Sequence, residues 1–190
     1  MRKVGVFLAC LAICAALLSA PAAAHSSVAQ DPEGDTAAGV PAYYDIVKAK
    51  AHAADSDEAI TFSIRVAAEI PTLSPSTFLA MNWILDTDPA QTGPEYNVVV
   101  RWCSRATHPA CQLGPAHWEA AIRDLHTAAF AYLSSDALSV DGKDVSVRVN
   151  PALIGNATEF MWFSASRTQP AQSAPATDTA PDTGVLGFRK

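Results

Sequence analysis

The sequence predicts an all-β protein, an antiparallel β-sandwich of about eight strands. Three observations predict it. Apolar residues recur at every second position, most clearly as Ile60, Phe62, Ile64 and Val66 interleaved with Thr61, Ser63 and Arg65. That period puts one side of a strand against a core. Turn-forming clusters of Pro, Gly, Asp, Asn and Ser break the chain roughly every 8–15 residues, as strand–turn–strand folds require. Finally, no stretch has the apolar periodicity of a long amphipathic helix.

The elements follow in order. His25 to Val40 is rich in Ser, Ala, Gly, Asp and Pro and reads as loop around an acidic turn, Asp31-Pro32-Glu33-Gly34-Asp35. Tyr43 to Ala53 is strand-like, and Ala59 to Ile70 is the alternating strand, broken by Pro71, Ser74 and Pro75. Thr77 to Leu85 is almost wholly apolar, as for a strand covered on both faces. A loop from Asp86 to Pro94 and a strand from Tyr96 to Trp102 complete a hairpin. Ala116 to Arg123 alternates through Trp118, Ala120 and Ile122 and reads as strand; Phe130 to Leu133 is a further short one. Ser134 to Leu138 is a turn. Asp141-Gly142 signals a hairpin into Val145, Val147 and Val149. Pro151 to Asn156 is loop, and Glu159 to Ala165 closes the sheet. Residues 167–190 read as a Pro/Ala/Thr-rich tail after a sandwich domain of residues 25–166. Met81, Trp83, Met161 and Trp162 sit in apolar strands and are expected in the core.

The first 24 residues have a different character. Met1-Arg2-Lys3, an apolar run from Val4 to Leu18 and an Ala-rich close at Ala22-Ala23-Ala24 form a secretory signal peptide. The run falls short of the roughly 20 residues a membrane span needs. The expectation is a secreted, extracellular protein with no stable membrane anchor. The full chain has a net charge of −6; without Arg2 and Lys3, 11 basic residues face 19 acidic ones, a net −8. Such a surface repels phosphate backbones, so nucleic acid is not expected as a partner.

Cys103 and Cys111 remain after the leader and bracket a seven-residue loop. In an oxidising compartment the pair reads as a disulfide. Zinc would need two further ligands, and His108 and His117 supply no recognisable spacing.

Two acidic stretches offer oxygen ligands. In the Asp31–Asp35 turn, Pro and Gly bring carboxylates and carbonyls together, which suits a hard cation such as calcium and equally suits a plain polar turn. Asp86-Thr87-Asp88 spaces acids at i and i+2, as calcium loops do, but lacks a third Asp or Asn and a closing Glu. Among the aromatics, Trp102 and Trp118 flank the cysteine loop and are the candidates for an exposed ligand platform. No hydrolase, zinc-protease or phosphate-loop motif is present, so an enzyme is not expected.

The acidic opening, Asp45-Ile46 at the first strand, Trp83-Ile84-Leu85-Asp86-Thr87-Asp88 with Thr92-Gly93, and Tyr96-x-Val98-x-Val100 together resemble a family of exported bacterial domains. This is the DOMON group, close to family 9 carbohydrate-binding modules and the C-terminal domain of glucodextranase. The ending Asp178-Thr179-Ala180-Pro181-Asp182-Thr183-Gly184 is similar too, so the resemblance spans most of residues 31–184. It implies a jelly-roll-like sandwich, often with structural Ca2+, that binds sugars or occasionally haem. Carried over by position, Asp31 and Asp35 are ligands, Asp45 contributes an oxygen, and Asp182 joins them from the returning C-terminal segment. The Gly-Pro-Gly-Tyr-x-Tyr-Pro stretch of the glucodextranase type is missing. Met81 and Met161 are expected core residues, not haem ligands. The function expected is secreted, non-catalytic binding with an extracellular glycan as ligand. The alternative is a structural or protein-interaction module that meets an envelope protein and has no sugar site.

Overall fold

The computed structural model describes residues 25–54, 58–74, 76–104, 115–168 and 176–190. Within them the chain forms twelve strands, three single 3-10 turns and no α-helix. The strands are β1 (His25–Gln30), β2 (Ile46–Ala53), β3 (Ile60–Val66), β4 (Ala80–Asp86), β5 (Tyr96–Cys103) and β6 (His117–Asp124). They continue as β7 (Phe130–Tyr132), β8 (Leu138–Asp141), β9 (Asp144–Val149), β10 (Glu159–Arg167), β11 (Asp178–Ala180) and β12 (Leu186–Arg189).

All pairings are antiparallel and build two sheets. One runs β1-β2-β3-β9-β8; the other runs β11-β10-β4-β5-β6-β7, with β12 also on β10. The consecutive strands β3 and β4 lie in opposite sheets, and each is paired with one of the consecutive strands β9 and β10. This exchange makes the sandwich jelly-roll-like.

The alternating patterns set the faces. Ile60, Phe62, Ile64 and Val66 of β3 point inward with Val145, Val147 and Val149 of β9. They meet Met81, Trp83, Leu85, Val98, Val100 and Trp162 from the other sheet. Trp83 and Trp162 are fully buried, as expected of large rings inside apolar strands. Met161 corrects an expectation: it lies one residue out of phase with Phe160 and Trp162 and is 39% exposed.

Two further expectations change. His25–Gln30 is a strand, not a loop, because each of its residues is registered against one of Lys48–Ala53. Tertiary pairing overrides a composition with weak β-propensity there. The C-terminal tail also returns to the sheet: β11 pairs with Ser164–Ser166 and β12 with Glu159–Trp162. Ala180 and Phe188 are buried there, so the sandwich extends past residue 166. These additions, with β8 as a strand of its own, raise the strand number from about eight to twelve. The leader and Cys111 lie outside the described residues.

Candidate metal centre

β10 carries β4 on one edge and, on the other, β11 and β12 end to end. Residues 181–185 leave the ladder between them, and this excursion brings Asp182 beside Asp178 and the turn after β1. Asp31, Asp35, Asp178 and Asp182 each offer a carboxylate oxygen, and those oxygens lie within 4.8 Å of one another.

Local structure explains how each acid is held. Gly34 has φ +90, a conformation that suits glycine, and its N–H donates to Asp45 Oδ2 at 2.7 Å. The turn is thereby tied to Asp45, which is 2% exposed. The Asp31 N–H donates to the Val47 carbonyl at 3.2 Å. A register shift at the start of β2, between Ile46 and Lys48, interrupts the ladder where the site attaches. The Ile46 N–H donates to Asp178 Oδ2 at 2.5 Å, and the Thr179 N–H to Asp178 Oδ1 at 2.8 Å.

The electrostatics are adverse without a cation. Two like charges about 4.8 Å apart repel by roughly 3–4 kcal/mol at an effective dielectric near 20. Burial, then the charges of Asp178, Asp182, Asp35 and Asp45, push the Asp31 carboxyl up to about 7. Burial raises Asp178 to about 6 against the opposing effect of its two backbone N–H donors. Asp35 is raised as well, by desolvation first and then by Asp182 and Asp45. Both carboxylate oxygens of Asp31, and Oδ1 of Asp45, are buried without a hydrogen-bond partner. Buried acceptors of this kind are costly unless something satisfies them. The donor set, all oxygen and all anionic, fits a hard divalent cation; Asp31, Asp35, Asp178 and Asp182 would hold it.

The structure thus brings together three of the sequence-derived ligands and adds Asp178. Asp45 stands beside them as the anchor of the turn. A signal for Asp178 was present: Asp178-Thr-Ala-Pro-Asp182 repeats the spacing of Asp31-Pro-Glu-Gly-Asp35, with a Pro inside each. Asp86 and Asp88 are not brought to this cluster. Asp88 accepts from the Ala90 N–H at 3.0 Å and from Gln91 Nε2 at 3.2 Å, which hold its carboxyl below the usual range. Glu95 closes the same loop by accepting the Thr87 N–H at 2.7 Å. Among the described residues the four-aspartate group is the one acidic cluster with metal-ligand spacing.

Trp102 and Trp118 are directly cross-strand and meet edge to face, with centroids 5.6 Å apart. Both are half-buried against the core, and Trp102 Nε1 donates to the Ser74 carbonyl at 3.0 Å. They wall a cavity of about 260 Å3 with Ile70, Leu73 and Val140. The exposed aromatic pair lies elsewhere. Phe130 is 41% exposed and Tyr132 55%, on the outer side of β7, with near-parallel rings 6.1 Å apart. Tyr132 borders a cavity of about 270 Å3 that Trp118, His117, Glu119, Ser134 and Ser135 also line. Glu119 is held there by an ion pair with the buried Arg101. Cys103, at the end of β5, is buried.

No family model, curated protein or solved structure matches the chain.

Proposed function

We propose that this chain is a secreted, non-catalytic binding domain whose two ends are clipped together by a structural calcium ion, and that its ligand is a glycan. The observation that carries the reading is the convergence of Asp31, Asp35, Asp178 and Asp182, with buried oxygens on Asp31 and Asp45 that lack partners. Carboxylates from the first turn and the last strands are held in mutual repulsion, and a divalent cation relieves it. Export agrees with this, since free calcium is plentiful outside cells.

For the ligand, the aromatic surface that supports a glycan is Tyr132 with Phe130, in place of Trp102 and Trp118. An accessible ring face beside a cleft with an acid, a histidine and two hydroxyls is how an apolar wall and a few polar groups receive a sugar ring. The reading also keeps Cys103 paired with Cys111, which closes the loop between β5 and β6; intact mass with and without reduction and alkylation tests it.

Calorimetric titration of the EDTA-treated mature protein with calcium tests the clip. Binding lost in Asp31→Asn supports it, and absence of heat in the wild type sinks it. A glycan array on the same protein tests the ligand: binding that disappears in Tyr132→Ala supports the sugar site. An array without signal favours the structural or protein-interaction role.

A further inference from the structure

We propose that the cation gates the docking of β11: with metal bound, Asp178–Ala180 is held against β10, and without it this strand opens while β12 stays in place. The inference rests on the calcium reading above.

It comes from the unequal anchoring of β11 and β12. β12 pairs four residues with β10, buries Phe188 in a near-parallel stack on Phe160 with centroids 4.8 Å apart, and is followed by a bond from the Lys190 N–H to the Thr158 carbonyl at 2.7 Å. β11 pairs three residues, and its one buried apolar side chain is Ala180. Its other buried side chain is the Asp178 carboxylate. β11 is therefore docked through an anion, and Asp182 follows two residues later. Both face Asp31 and Asp35. Asp45, 2% exposed with Oδ1 unpartnered, adds a fifth carboxylate at the same turn. Elements with few buried apolar contacts open first, and here the opening force is charge. A cation reverses its sign, because the carboxylates that repel become shared ligands bridging the two ends. Opening would uncover the Ser164–Ser166 edge of β10, an unpaired strand edge exposed only in metal-poor surroundings.

Amide hydrogen exchange of the full mature chain at neutral pH, in millimolar calcium and in EDTA, tests this. Residues 177–180 are expected to exchange at least about tenfold faster in EDTA, with residues 186–190 and β3 changing less than about twofold. Asp182→Asn, an exposed loop position, is expected to narrow the difference at 177–180 without altering β3. A uniform change across all strands overturns the gate, since the metal then only stabilises the whole fold. Unchanged exchange at 177–180 in a protein that does bind calcium also overturns the gate and leaves the clip standing. A flat calcium titration removes both.

Discussion

Asp178 Oδ2 accepts the backbone N–H of Ile46 at 2.5 Å, joining residues 132 apart in the sequence. A carboxylate from the penultimate strand thus completes the beginning of β2, where the register shift frees a donor from the ladder.

Asp178→Ala leaves that buried N–H without its acceptor, at a cost of about 1–3 kcal/mol. For a chain of this size, each kcal/mol moves the melting temperature by roughly 2–4 °C. A lower melting temperature in EDTA and in calcium alike is expected by scanning calorimetry. Equal stability of variant and wild type in EDTA would show that water replaces the carboxylate.

Asp31→Asn has the opposite sign without metal. It removes a charge that burial and four neighbouring aspartates disfavour, while its oxygens make no hydrogen bond that would be lost. The variant is expected to melt above the wild type in EDTA and below it in saturating calcium, where a ligand at a hundredfold its Kd supplies about 2.7 kcal/mol. Chemical denaturation with and without calcium checks this crossing of the order.

The pH dependence follows from the same group. Asp31 titrates near 7 in the folded, metal-free chain against an ordinary 3.8. Between those values the folded state keeps a proton that the unfolded state has released, so stability is full below about pH 4 and falls as the pH rises to about 7. Asp178 contributes in the same direction up to about 6. Melting curves in EDTA are expected to shift downward across this window, and saturating calcium is expected to remove most of the shift. A metal-free protein that gains stability from pH 4 to 7 would contradict the assignment.

The aromatics separate structure from recognition. Trp102→Ala takes a half-buried ring out of the core rim and its indole bond from Ser74, so a loss of about 2–4 kcal/mol is expected. Tyr132→Ala alters an exposed ring at the sheet edge and is expected to stay within about 0.5 kcal/mol in stability. Urea unfolding of the two variants measures the difference.

The fold was legible where a strand buries one face. Ile60 to Val66 and Val145 to Val149 show their alternation because solvent and core impose it residue by residue. The acidic turn was legible as well, since Pro and Gly between two aspartates restrict the backbone locally. β1, β11 and β12 were not. Their mixture of Ser, Ala, Asp and Gly with few β-branched residues gives little intrinsic reason to extend, and these segments become strands because a neighbour offers unpaired N–H and carbonyl groups.

By itself, then, the sequence determined the class, the buried tryptophans and the acidic character of the first turn, all properties of short windows of chain. Which carboxylates meet was decided by tertiary structure alone. Asp178 joins Asp31 because the last strands return along β10, whereas Asp88 bonds within its own loop and Asp86, at the end of β4, lies beside Glu159–Met161 and Gly187–Arg189. The physical reason is that backbone pairing acts between segments that are close in space and takes no account of their separation along the chain.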